Sequence, residues 1–268
     1  MAILSTIARF NGTWTTGATP SLPDGRDLSA PGSRSRYNYN YYVFCGRNSS
    51  AAQVKTTYKF NTSAVSVDAD SQNVASSLHT AQMGSFNYLM GGNSGGSASE
   101  LLSKYNGTAW STAGTAAFTI TYGLAQTLPS GMVLCSGSSG PTGTNACDYS
   151  RLYTPSETAS TISPSGNIAH AMGSALLNSI VYKISGYSGT SSSVLTTAVR
   201  SYNGSAWSAG IVIPTAKGDS NSSFTNSTAL IWGGYNGSGV TTESFVFNGT
   251  SWANTVSFVS ALSSGQGA

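Results

Sequence analysis

The stretch Leu101-Leu102-Ser103-Lys104-Tyr105-Asn106-Gly107-Thr108-Ala109-Trp110 decides the fold. Asn-Gly between two strand-like arms is a strong hairpin signal, because a type I′ turn needs positive φ at both central residues. The phrase predicts hairpin arms at Leu101–Tyr105 and Thr108–Thr112. It recurs as Phe10-Asn11-Gly12-Thr13-Trp14, Tyr202-Asn203-Gly204-Ser205-Ala206-Trp207 and Phe247-Asn248-Gly249-Thr250-Ser251-Trp252, with degenerate copies at Phe60 and Tyr153. The six aromatics, at positions 10, 60, 105, 153, 202 and 247, are spaced 45 to 50 residues apart. A fixed period of this length marks a repeat architecture.

A second phrase keeps the same beat. Hydrophobic runs end in glycine at Tyr42-Val43-Phe44-Cys45-Gly46, Tyr88-Leu89-Met90-Gly91-Gly92, Val133-Leu134-Cys135-Ser136-Gly137, Tyr182-Lys183-Ile184-Ser185-Gly186 and Leu230-Ile231-Trp232-Gly233-Gly234. Each run reads as a buried strand bounded by turn residues. A weaker strand precedes each, as at Tyr122–Leu128 or Ala169–Leu176. Apolar residues nowhere recur at helical spacing over ten residues or more, so no amphipathic helix is predicted.

Four strands per unit of 40 to 50 residues describe a β-propeller blade. The glycine pair followed by an aromatic and then a Trp resembles the kelch repeat. Over nearly the whole chain the sequence is similar to kelch and galactose-oxidase-type propellers, although nearly all the charged residues usual in kelch units are replaced. The predicted fold is all-β: a kelch-like β-propeller of five four-stranded blades plus an extra N-terminal hairpin. The alternative is six blades with one reduced, using Val256–Leu262 as an added strand. The expected domains are a half-repeat hairpin at 1–17, the propeller at 18–258 and a flexible tail at 259–268.

Composition narrows the function. The chain holds 12 Lys+Arg and 9 Asp+Glu, so 8% of it is charged, against roughly 25% in an ordinary globular domain. Of its 268 residues, 127 are Ser, Thr, Asn or Gly, giving an uncharged surface of hydroxyls and amides. The net charge of +3 provides no basic stripe for phosphate-backbone binding, so no nucleic-acid partner is expected. No apolar run reaches the roughly 18 residues of a membrane span, so no membrane insertion is expected. The start, Met1-Ala2-Ile3-Leu4-Ser5-Thr6, has no charged n-region and no sustained apolar run, so no export signal is expected. Cys45, Cys135 and Cys147 are then read as free thiols, the first two as small buried hydrophobes.

Few side chains suggest chemistry. The two histidines, His79 and His170, are too few for a His-based centre, and the nine acidic residues are scattered along the chain. Asp68-x-Asp70 lacks the remaining ligands of a calcium loop and reads as a solvated turn. Galactose-oxidase chemistry has no matching copper-ligand motif here, so no catalytic residue, cofactor or metal ligand is assigned. Trp14, Trp110, Trp207 and Trp252 recur at one structural position and read as inter-blade packing rather than sugar platforms. Tyr37-Asn38-Tyr39-Asn40-Tyr41 occurs in one unit only, and alternation would place Tyr37, Tyr39 and Tyr41 on one strand face. With Arg34 and Arg36 nearby, these tyrosines form the candidate binding face.

The phrase Tyr-Asn-Gly-Thr/Ser-x-Trp, in a chain this rich in Ser, Thr and Gly, also resembles repetitive propeller proteins of tailed bacteriophages. The resemblance implies a non-enzymatic structural or adhesive virion component of tail, fibre or capsid exterior. Its partners would be other virion proteins in an oligomeric assembly and a host-surface glycan or receptor. A free multivalent propeller lectin is the alternative. A hydrolase or oxidase ranks last for want of residues.

Overall fold

The computed structural model describes residues 8–10, 14–16, 30–31, 41–45, 50, 52–60, 64–71, 78–94, 97–115, 123–135, 150–154, 159–162, 169–170, 172–188 and 194–258. Among them there is no helix. Twenty of the strands form five four-stranded antiparallel sheets, each built in chain order from innermost to outermost strand, and short two-stranded pairs join Asn93–Ser94 to Ser97–Ala98 and Ala169–His170 to Tyr187–Ser188. The first comprises Ala30–Pro31, Tyr41–Phe44, Thr57–Phe60 and Val65–Val67. The second comprises His79–Met83, Phe86–Met90, Leu101–Tyr105 and Trp110–Thr115. The third comprises Leu124–Leu128, Gly131–Cys135, Ser150–Tyr153 and Ala159–Ile162. The fourth comprises Gly173–Leu177, Ile180–Ile184, Val199–Tyr202 and Trp207–Ala209. The fifth comprises Asn221–Phe224, Ala229–Trp232, Ser244–Phe247 and Trp252–Thr255. A separate hairpin pairs Ala8–Phe10 with Trp14–Thr16. The fold is a β-propeller of five four-stranded blades with an extra N-terminal hairpin, as the repeat predicts.

Because strands alternate in direction, the connections divide between two faces. Second-to-third-strand loops and blade-to-blade connections emerge on one, the loop face. First-to-second and third-to-fourth turns emerge on the other, the turn face.

On the loop face the glycine phrase is a turn. The residue after the second strand is left-handed in four blades: Cys45 at φ 53°, Gly91 at 63°, Ser185 at 58° and Gly233 at 65°. Gly92, Gly186 and Gly234 follow at 85°, 109° and 85°. Two successive positive φ values favour glycine, which has no Cβ to clash. The reversal lets the N–H of Cys45, Gly91, Ser185 and Gly233 donate to the carbonyls of Thr56, Leu101, Ala198 and Glu243 at 2.9 to 3.3 Å. Ser99, Thr196 and Thr241 then donate their N–H to Gly92, Gly186 and Gly234. The hydroxyls of these three residues accept the N–H two residues on, a local turn that Ser and Thr favour. Of these four described turns, the two without glycine at the first position tie that side chain down instead. Cys45, a buried free thiol, lies 2.9 Å from Ser71 Oγ, and Ser185 Oγ accepts the Lys217 N–H at 2.7 Å. Burial of Cys45 agrees with its reading as a small hydrophobe, whereas the side chain of Cys135 and all of Cys147 lie outside the described residues.

The turn face corrects the sequence reading. Tyr105 pairs with Trp110 and Tyr202 with Trp207, so each Asn-Gly turn is a four-residue loop, not a two-residue type I′ turn. The outer arm of the second blade starts at Trp110 rather than at Thr108, and that of the fourth blade at Trp207. Only glycine has positive φ, +98° at both Gly107 and Gly204. The asparagine side chain supplies the reason. Asn106 Oδ1 accepts the N–H groups of Thr108 and Ala109 and the Thr108 hydroxyl at 2.9 to 3.0 Å. Asn203 and Asn248 repeat the pattern. Such Asx capping satisfies the loop amides without a left-handed asparagine.

Four apolar clusters form the consecutive seams between the five blades. Trp110 packs edge-on against Phe44 of the preceding blade, with ring centroids 5.1 Å apart. Its indole N–H donates to the Ala69 carbonyl at 3.1 Å, and Trp252 donates to Ile211 at 2.9 Å in the same way. Trp207 lies against the cluster joining the third and fourth blades. Trp110, Trp207 and Trp252 are therefore inter-blade packing residues; the Trp14 side chain lies outside the described residues. Polar ties join the innermost strands as well, from Gln126 to Ser174 at 2.9 Å.

Candidate functional site

The sequence candidates fall mostly outside the described residues. Arg34, Arg36, Tyr37 and Tyr39 are not among them. Tyr41 begins the second strand of the first blade, where its backbone is registered against Phe60. The Asp68-x-Asp70 pair follows the outermost strand of the first blade: Asp68 accepts the Ala69 N–H at 2.8 Å, and Asp70 lies 3.7 Å from Lys55 Nζ. Among the described residues no three His, Cys, Asp or Glu side chains gather as metal ligands would.

The structure assembles a different group, on the loop face where the fourth and fifth blades meet. The connection Lys217-Gly218-Asp219 runs between the loops of both blades. Gly186 of the fourth-blade loop donates its N–H to the Lys217 carbonyl at 2.7 Å. Gly218 exchanges two backbone hydrogen bonds with Tyr235 of the fifth-blade loop, at 2.8 and 2.9 Å. The Tyr187 ring covers Gly218 so closely that a Cβ there would lie 2.3 Å from it. Beyond the ring, the Tyr187 hydroxyl donates to Asp219 Oδ2 at 3.1 Å. Asp219 adopts φ 52°, a left-handed conformation that Asp tolerates better than most residues.

Beneath this layer sits a buried ion pair. Lys217 is 0% exposed. Its Nζ donates to Glu243 Oε2 at 3.0 Å and to the Gly233 carbonyl at 3.1 Å, and lies 5.4 Å from the Phe245 ring centroid. Burial pulls the lysine below its ordinary value, and the Glu243 carboxylate opposes that shift. Burial pushes the Tyr187 phenol up, reinforced by the Asp219 charge, so it stays protonated and remains the donor.

The groups here with nucleophilic potential are held in structural bonds. Ser185 Oγ accepts the Lys217 N–H and lies 2.6 and 2.7 Å from the carbonyls of Thr196 and Lys217, which share its single proton. His79, at the second–third seam, accepts the Gly123 N–H on Nε2 at 2.9 Å. Burial depresses its imidazole to about 4, keeping it a neutral acceptor.

Exposed near the ion pair are the Glu243 carboxylate, 43% exposed, and aliphatic side chains. Val194 and Val240, on the fourth- and fifth-blade loops, are 56% and 46% exposed. Tyr235 is half-buried, and its hydroxyl donates to the Gly237 carbonyl at 3.0 Å, laying the ring along its own loop. Sequence reasoning missed this site. Its one local signal is the repeated Gly-Tyr, Gly186-Tyr187 and Gly234-Tyr235, directly after the glycine strands.

No family model matches the sequence, and neither does any curated protein. The fold resembles a solved structure titled "Structure of YjhT" with a TM-score of 0.77 and 15% identity, covering 93% of this chain and 89% of that one. At that identity the likeness supports the propeller fold, and one fold hosts many functions.

Proposed function

We propose that the protein is a non-enzymatic structural and adhesive component of a tailed-phage virion, on the tail, a fibre or the capsid exterior. It would bind neighbouring subunits or a host-surface glycan or receptor. The observation carrying this reading is how the loop face uses its ionisable groups. Lys217 is paired with Glu243 and Tyr187 with Asp219, and besides the half-exposed Glu243 carboxylate the exposed side chains there include the aliphatic Val194 and Val240. An enzyme needs an acid, base or nucleophile directed at substrate; a binding module needs a rigid surface of set shape. The recurrence of the Asn-Gly-Trp phrase over an uncharged surface supports the phage assignment. A free lectin with equivalent pockets fits less well, because the second-to-third-strand connections differ in length, 185–198 against 233–243.

Mass spectrometry and antibody labelling of gradient-purified particles from cells carrying the gene test this reading. The chain is expected in the particles at a fixed ratio to the major structural proteins. Its absence from intact particles, with the free protein recovered from the lysate, overturns the proposal.

A further inference from the structure

The surface over the fourth–fifth seam has the properties of a small, preformed recognition site. Its aromatic element is the half-buried Tyr235. Val240, 46% exposed, closes the same loop, bridged through its backbone to Tyr235. Val194, 56% exposed, stands on the neighbouring loop. The loops touch: Leu195 Cδ1 lies 3.8 Å from where a Cβ on Gly237 would be.

The fifth-blade loop is held in place by its own hydrogen bonds. Asn236 Oδ1 accepts the N–H groups of Ser238 and Gly239 at 3.1 Å, and the Asn236 N–H donates to Gly239. Thr241 closes the loop on Gly234 at 2.9 Å. Tyr235 is fixed at both ends, by the Gly218 backbone and by its own hydroxyl on Gly237. A platform already ordered loses little conformational entropy on binding.

Charge selects the ligand class. The ionisable groups flanking Gly218 and Tyr235 are Asp219, Glu243 and Lys217. Lys217 is buried and paired with Glu243, whose side chain is 43% exposed, so the local balance is one negative charge. Such a surface disfavours sialylated, uronic or sulfated sugars. It suits a neutral saccharide, whose C–H face packs on an aromatic ring and aliphatic tips while its hydroxyls meet amides, hydroxyls and a carboxylate.

We infer that the loop-face patch formed by Tyr235, Val240, Val194 and Asp219 is a binding site for a neutral glycan. This rests on the adhesive part of the proposed function and gives it a location and a ligand class. It moves the recognition face from the tyrosines of the first blade to the fourth–fifth seam.

The test uses the full chain, tetramerised through a terminal biotin. The probe is an array of neutral hexose- and N-acetylhexosamine-terminated oligosaccharides alongside their sialylated and sulfated counterparts. Wild type is expected to bind neutral members in preference to the acidic ones. Tyr235→Ala should weaken binding about tenfold or more, equivalent to losing roughly 1.4 kcal/mol. Tyr235→Phe keeps the ring and should bind within about threefold of wild type. Val240→Ser is the second variant, with weaker binding and an unchanged melting temperature.

Absence of neutral-glycan binding, preference for acidic glycans, capture only of host protein, or binding unchanged in Tyr235→Ala and Val240→Ser would each overturn the inference. Particle composition separates the two readings. Virions that incorporate the chain although it binds no glycan refute this site and leave the virion assignment standing. A glycan-binding chain absent from particles does the reverse.

Discussion

Glycine has different work on the two faces of the propeller. On the turn face, Gly107, Gly204 and Gly249 have φ of +98°, +98° and +92°, with open space where a side chain would point. On the loop face, Gly234 combines φ +85° with the Gly218 carbonyl oxygen 2.6 Å from its Cβ position. The first kind answers only to backbone conformation. The second also lets two chain segments approach within hydrogen-bonding distance, and that contact joins one blade's loop to the connection from the blade before. The Asn-Gly turns are thus independent local caps, whereas the fourth–fifth loop layer is coupled; elsewhere on the turn face the Asn178 N–H ties to the Asn226 carbonyl of the next blade at 3.0 Å.

Gly234→Ala tests the distinction most severely. Left-handed strain and a backbone clash act together, so a loss of about 3 kcal/mol or more is expected. Gly107→Ala carries the strain alone and should cost about 1 kcal/mol. Urea denaturation of both variants gives the difference, and equal losses would break the comparison.

The ion pair gives the next largest effect. Glu243→Ala leaves the Lys217 ammonium buried with only the Gly233 carbonyl as acceptor, and a loss of about 2 kcal/mol is expected. This lies below the usual range for a fully buried pair because Glu243 is itself partly exposed. Lys217→Met removes the charge and keeps most of the volume, so it should fall within about 1 kcal/mol of wild type. Unfolding free energies that rank Lys217→Met as the worse variant would show that the lysine's own hydrogen bonds dominate.

The second–third seam contributes a pH dependence. His79 titrates at about 4 in the folded chain against 6.5 ordinarily, so across that window the unfolded chain binds the extra proton. Stability therefore falls as pH drops below about 6.5, at up to about 1.4 kcal/mol per pH unit, and levels off below about 4. His79→Gln remains a neutral acceptor for Gly123, and its melting temperature should lose this part of the acid dependence. An unaltered profile in the variant would assign the acid sensitivity to the carboxylates instead.

These cases also show what the sequence makes legible. The period, the five glycine strands and the packing tryptophans are visible because each repeats within its own blade. The turn type was misread at Asn106 because Asn-Gly admits both a left-handed asparagine and an Asx cap, and the residues after glycine decide. Thr108 at that point adds a hydroxyl donor to the asparagine oxygen, where an apolar residue would offer its N–H alone. The loop-face site stayed hidden because its contacts are distant in sequence. Tyr187 meets Asp219 across 32 positions and Lys217 meets Glu243 across 26, so no local pattern links them. The aromatic alternation at Tyr37, Tyr39 and Tyr41 drew attention because it was local and occurred only once.

The smallest effect belongs to the turn face. Asn248 Oδ1 accepts the N–H groups of Thr250 and Ser251 at 2.9 and 2.8 Å and the Thr250 hydroxyl at 2.9 Å. Asn248→Ala removes these three acceptor contacts and a longer one from the Ser251 hydroxyl at 3.3 Å, but the loop is exposed and water replaces much of what is lost. By analogy with helix N-caps, the cost should be about 1 kcal/mol. Asn248→Asp keeps an oxygen at the same place, so it should lie within about 0.5 kcal/mol of wild type. Because the caps are local, Asn106→Ala and Asn248→Ala should add almost exactly in the double variant, as distant independent sites do. Gly234→Ala and Glu243→Ala act within one connected layer, and their double variant should depart from additivity by about 0.5 kcal/mol or more. Additive loop-face variants would show that the layer, for all its shared hydrogen bonds, behaves as separate contacts.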